Sequence, residues 1–95
     1  MRKYEAMIIL RPDLAEEERK NLFNQLHEII AKHKGSVLQG AVWAEKRKLA
    51  FHIKRYHEGM FYLLNFTVEP QAISEIRQAY RLNENIMRSL ITLLS

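Results

Sequence analysis

The chain has 95 residues, 47% of them hydrophobic, and 15 Lys and Arg against 11 Asp and Glu give a net charge of +4, with a pI near 9.6. This length and apolar content predict a single folded domain over residues 1–95 and exclude a disordered chain. With no cysteine, disulfides and cysteine-held metals are excluded, and no apolar run reaches the ~20 residues of a membrane span.

A basic balance favours an anionic partner, nucleic acid before membrane surface. The charge is uneven. Asp13, Glu16, Glu17, Glu18 and Glu28 place five of the eleven acids in the first predicted helix, whereas cations collect at the N-terminus, in a central arm and near the C-terminus. The start, Met1-Arg2-Lys3-Tyr4-Glu5, lacks the long apolar segment of a signal peptide. A cytoplasmic protein is expected.

Lys3 to Leu10 alternates as a strand, with Tyr4, Ala6, Ile8 and Leu10 on one face and Glu5, Met7 and Ile9 on the other. Arg11-Pro12-Asp13 breaks it. Asp13 with Glu16 three residues on predicts a capped helix start, and Leu22, Phe23, Leu26, Ile29, Ile30 and His33 form one buried stripe ending near Lys34. Gly35 is the expected stop.

Ser36 to Arg55 reads as one long extended segment, with a bulge or bend expected at Gly40. Its second half, Lys46 to Arg55, holds five of the fifteen Lys and Arg and no acid. Arg47, Leu49, Phe51 and Ile53 share one parity; Lys46, Lys48, Ala50, His52 and Lys54 share the other. Such a strand packs on one side and offers cations on the other, for a partner or simply against edge aggregation. Tyr56-His57-Glu58-Gly59 is the expected turn. Met60 to Val68, the most apolar run, is a central strand. Pro70 suits a first helical turn, followed by the stripe Ala72, Ile73, Ile76, Ala79 and Tyr80. After Asn83-Glu84-Asn85, Ile86 to Leu94 is the last strand, and its parity is left open.

The order β-α-β-β-α-β predicts an α+β, ferredoxin-like domain: a four-stranded antiparallel sheet of order 4-1-3-2 with two helices on one face. The basic arm is then an edge strand. If Tyr4, Ala6, Ile8, Tyr62 and Leu64 face the helices, then Met7, Ile9, Phe61 and Leu63 lie on the open face. The reverse parity leaves an apolar patch there as well, and either fits a protein partner. RNA-recognition domains of the same topology stack bases on aromatics of the central strands. Here Gly59-Met60-Phe61-Tyr62-Leu63-Leu64-Asn65-Phe66 lacks their signature, and the first strand offers Met7 and Ile9 instead of an aromatic.

Catalysis has no positive sign. Val37-Leu38-Gln39-Gly40-Ala41-Val42 is similar to the phosphate loop of acylphosphatases, but it follows the first helix instead of opening it, so its amides are not placed for phosphate. His27, His33, His52 and His57 form no i,i+4 metal pair; the first two are read as helix-boundary residues. No cofactor, metal or small-molecule substrate is expected. A regulatory domain that pairs through its sheet is the competing non-enzymatic reading.

Met1-Arg2-Lys3-Tyr4-Glu5, Pro12, the run Lys46-Arg47-Lys48-Leu49-Ala50-Phe51-His52-Ile53-Lys54, Gly59-Met60-Phe61-Tyr62 and Asn85-Ile86-Met87-Arg88, in that order, resemble the bacterial small-subunit ribosomal protein six family. The arm departs from the family pattern at Glu45 (usually Gly), Phe51 (usually Tyr) and His52 (often Pro). The resemblance implies a structural, non-catalytic protein of the small ribosomal subunit. It implies binding to small-subunit ribosomal RNA in the platform together with small-subunit ribosomal protein eighteen, and a cytoplasmic, ribosomal location. On that basis Arg2, Lys3, Lys46, Arg47, Lys48, Lys54, Arg55 and Arg88 are expected to meet RNA phosphates. Met7, Ile9, Phe61 and Leu63 are expected to meet the protein. Arg88 is the sharpest candidate; its alternative is an ion pair with Glu5 or Glu84.

Overall fold

A computed structural model describes residues 1–95, with every side chain except that of Phe51. The elements are β1 (Arg2–Leu10), α1 (Glu16–Lys32), β2 (Ser36–Ile53), β3 (Tyr56–Val68), a 3-10 turn (Pro70–Ala72), α2 (Ile73–Leu82) and β4 (Ile86–Leu93). The sheet runs β2-β3-β1-β4, the predicted order read from the other edge, and each neighbouring pair is antiparallel. The ferredoxin-like expectation holds.

Alternation decides what is buried. In β1, Tyr4, Ala6, Ile8 and Leu10 are buried, and in β3 so are Tyr62, Leu64, Phe66 and Val68. They meet Leu22, Leu26 and Ile30 of α1 and Ile73, Ile76 and Tyr80 of α2 in one core. The Tyr80 hydroxyl donates to the Leu26 carbonyl at 2.9 Å, which ties the two helices together. The open parity of β4 is settled by register: Ile91 and Ser89 stand opposite Ala6 and Ile8, whereas Leu90 and Arg88 stand opposite Met7 and Ile9 on the other face.

Four local expectations are corrected. First, α1 is capped at Ala15, not Asp13. Glu18 accepts the Ala15 N–H at 3.0 Å, half of a capping box, because alanine has no acceptor to return. Asp13 is drawn away by the Arg11 guanidinium, which donates to both its oxygens at 3.2 Å. Second, the left-handed residue after α1 is Lys34 (φ 63°), not Gly35. Gly35 serves packing: a Cβ there would stand 2.6 Å from the Thr67 carbonyl oxygen and 2.8 Å from Ile30. Third, Gly40 is not a bulge. It pairs in register with Leu64, and the shifts in β2 lie elsewhere; its missing side chain makes room for the Tyr62 hydroxyl and His27. His27 is accordingly not a boundary residue but a mid-helix partner of Tyr62 at 2.9 Å. Fourth, the chain turns at Lys54-Arg55, not at Tyr56–Gly59. Ile53 pairs with Tyr56, and both turn residues have positive φ, 49° and 75°. That is the two-residue hairpin whose twist matches the strands.

Candidate nucleic-acid interface

The β2–β3 hairpin outruns the rest of the sheet. β1 ends where Leu10 faces Met60, yet β2 and β3 continue as Arg47–Gly59, Lys48–Glu58 and Ile53–Tyr56 pairs. Along this projecting arm Lys46, Arg47, Lys48, Lys54 and Arg55 are exposed, while Leu49 and Ile53 are half-covered. The predicted alternation therefore holds at Lys48, Leu49, Ala50, Ile53 and Lys54 but not at Arg47, which shares the parity of Leu49 yet is exposed; the Phe51 side chain lies outside the described residues.

Several contacts fix the arm to the body. Tyr56 donates to Asp13 at 3.3 Å, and the Arg11 guanidinium lies 5.8 Å from the Tyr56 ring centroid. Hydrogen bonding from Arg11 holds the Asp13 carboxyl below its usual range, and the same bond raises Arg11. At the base of the arm Arg19 of α1 donates to Glu45 at 3.1 Å, so the acid that departs from the family pattern anchors the arm to α1. At the tip, Lys54 Nζ donates to the Ile86 carbonyl at 3.4 Å. Gly59 is buried, and a Cβ there would stand 2.5 Å from Ile9 and 3.0 Å from Met87. Its bareness lets the arm lie close against β1 and β4. His52 and His57, opposite one another across the hairpin, have ring centroids 3.9 Å apart.

The open sheet face carries the predicted apolar group. Met7 faces Leu63 and Ile9 faces Phe61 across β1 and β3, and all four are half-exposed. Two further residues, which the sequence alone did not point to, extend it: Leu90, 67% exposed, opposite Met7, and Trp43, 52% exposed. The Trp43 ring packs on Phe61 with centroids 5.8 Å apart. The Arg47 guanidinium covers both rings, at 4.6 Å from Trp43 and 5.9 Å from Phe61. Arg47 is thus shared between arm and sheet face, held flat by cation–π attraction. On the same face the amide oxygen of Asn65 is buried without a hydrogen-bond partner among the described residues. Trp43 shares the parity of Ala41, which faces Leu63, but it falls at the register shift between Val42 and Ala44, so alternation in the sequence does not fix its face.

The structure divides the predicted basic residues. Arg88 stands opposite Ile9, at the same end of the sheet as the arm, and none of the ion pairs among the described residues involves it, Glu5 or Glu84. Arg2 and Lys3 face Val68 and Thr67 at the other end of β1, seven extended residues or about 23 Å from Leu10. They do not join the arm. Among the described residues there is no group of three or more metal-ligating side chains and no helix long and apolar enough to cross a membrane.

Residues 3–92 match the family model described as Ribosomal protein S6. The chain belongs to the ribosomal protein S6 family. It is 40% identical over 91 residues to the small ribosomal subunit protein bS6 of Helicobacter acinonychis (strain Sheeba), spanning 96% of this chain but only 63% of that protein. The bS6 of Caldanaerobacter subterraneus subsp. tengcongensis is likewise 40% identical over 91 residues, 96% of this chain and 95% of its own. The crystal structure of 30S ribosomal protein S6 from Thermotoga maritima superposes with a TM-score of 0.88 at 32% identity, covering 98% of this chain and 87% of that one. The S6 family is structural and not enzymatic, which answers the acylphosphatase-like alternative.

Proposed function

We propose that this chain, as one ferredoxin-like domain over residues 1–95, is a structural constituent of the small ribosomal subunit in the cytoplasm. It binds small-subunit ribosomal RNA in the platform together with small-subunit ribosomal protein eighteen. The observation that carries this reading is the projecting, acid-poor arm with Lys46, Arg47, Lys48, Lys54 and Arg55 exposed, set beside an apolar open face that includes an exposed tryptophan. Cations on an arm neutralise backbone phosphates and position the domain without reading sequence. The apolar face supplies what phosphates cannot use: Met7, Ile9, Phe61 and Leu63, widened by Trp43 and Leu90, form a surface for a protein, and the orphaned Asn65 oxygen awaits a donor. Arg47 lies over the rings at the junction of the two surfaces. Arg2 and Lys3, at the far end of β1, then meet a separate stretch of RNA.

Arg88→Ala and a Lys46→Ala/Lys48→Ala double variant test the assignment. All three side chains are exposed, so folding is expected to be unchanged. Affinity for a platform RNA fragment, measured with saturating protein eighteen, should weaken for both, and the salt slope should fall by about 1 for each phosphate no longer neutralised. Wild-type binding by both variants would remove the RNA role from these residues.

A further inference from the structure

Where the hairpin tip, α2 and β4 meet, a cleft of about 280 Å³ is lined by Lys54, Arg77, Arg81 and Arg88. Four cations from three elements converge there, and no acid among the described residues lines the cleft. None of the ion pairs among the described residues involves any of the four. Arg77 and Arg81 are one helical turn apart on the exposed side of α2. Like charges at this spacing repel; the helix dipole offsets this only for Arg81, in the last turn. Two of the cations are already held. Lys54 Nζ donates to the Ile86 carbonyl at 3.4 Å, and Arg77 Nη2 donates to the Ile91 carbonyl at 3.5 Å. Both carbonyls belong to β4, the last strand of the sheet. Lys54 and its neighbour Arg55 stand at positive φ, a conformation that favours Asn and Gly and is strained for other residues. Basic residues kept at a turn that disfavours them point to a use for their charge.

We infer that this cleft grips the phosphodiester backbone of RNA, and that the RNA surface therefore wraps from the arm across the edge of β4 onto α2. Arg77 and Arg81 are the residues this adds, and the inference rests on the RNA-binding reading above. A cluster of mutually repelling cations without counter-charge is complementary to adjacent phosphates, and Arg supplies paired donors in a planar fork that suits phosphate oxygens. Edge protection alone would need one cation on β4, not four from three elements.

The test is the slope of log affinity against log salt for a platform fragment of small-subunit ribosomal RNA, with protein eighteen saturating. It compares the full chain, Arg77→Gln/Arg81→Gln, Arg77→Lys/Arg81→Lys, and a control that removes two exposed charges from α1, Lys20→Gln/Lys32→Gln. The Gln pair should flatten the slope by about 1 to 2, while the control keeps the wild-type slope. The Lys pair should keep most of the slope, which separates the effect of charge from any disturbance of α2. If the Gln pair and the control behave alike, the cleft is not an RNA site although the RNA reading stands. If the wild-type slope is itself flat, both fall.

Discussion

A methyl group at position 40 would collide with the Tyr62 hydroxyl and stand 3.0 Å from His27 Nε2. Tyr62 cannot yield freely, because its ring stacks on Phe23 with centroids 4.3 Å apart. Gly40→Ala should therefore break the His27–Tyr62 hydrogen bond and destabilise the fold by about 1–3 kcal/mol, measurable by urea denaturation. The tyrosines also set a limit at high pH. Burial pushes the Tyr80 phenol far above its ordinary range, with the nearby Tyr62 adding to it, and burial raises Tyr62 as well. The folded state thus keeps protons that the unfolded chain releases near pH 10. This contribution is complete below that pH and is lost as pH rises beyond it. Denaturation curves from pH 8 to 11.5 should show falling stability above about pH 10, and Tyr80→Phe should flatten that fall.

At the scale of elements, the strands were legible because period-two patterning fixes a face: Tyr4, Ala6 and Ile8 are buried as their alternation required. The hairpin turn was not legible. Lys54-Arg55 carries no turn signal, whereas Gly59, which looks like one, is needed for close approach to Ile9 and Met87. The helix start misled for a similar reason, since Asp13 is occupied by Arg11. The α2 arginines carry no signal in the sequence, because an exposed i,i+4 pair on a helix reads as a solvated face until β4 and the hairpin tip are placed beside it. The turn offers a prediction in which stability and function move in opposite directions. Lys54→Asn/Arg55→Gly restores residues suited to left-handed backbone, and should stabilise the chain by about 1–2 kcal/mol in thermal or chemical denaturation. The same variant should bind ribosomal RNA more weakly, because it removes two cations from the tip.

For the whole molecule, the basic arm and the apolar open face meet at one end of the sheet, and the helices close the other side. The sequence assigns one role to eight candidate cations without placing them in space; the structure separates Arg2 and Lys3 from the arm by the length of β1. Periodicity along one chain segment cannot show which ends of different strands come together, and only the register of β1 with β3 and β4 does. The distribution of charge and apolar surface, together with membership of the S6 family, makes incorporation into the small ribosomal subunit the central claim. It is tested most directly by sedimenting a tagged form of the full chain, expressed in bacterial cells, through a sucrose gradient at low salt and again at high salt. The account predicts that the protein travels with the small-subunit peak at low salt and is progressively stripped from it as salt rises, since counterion release weakens binding to phosphates. Protein that stays at the top of the low-salt gradient, away from the small-subunit peak, would contradict it.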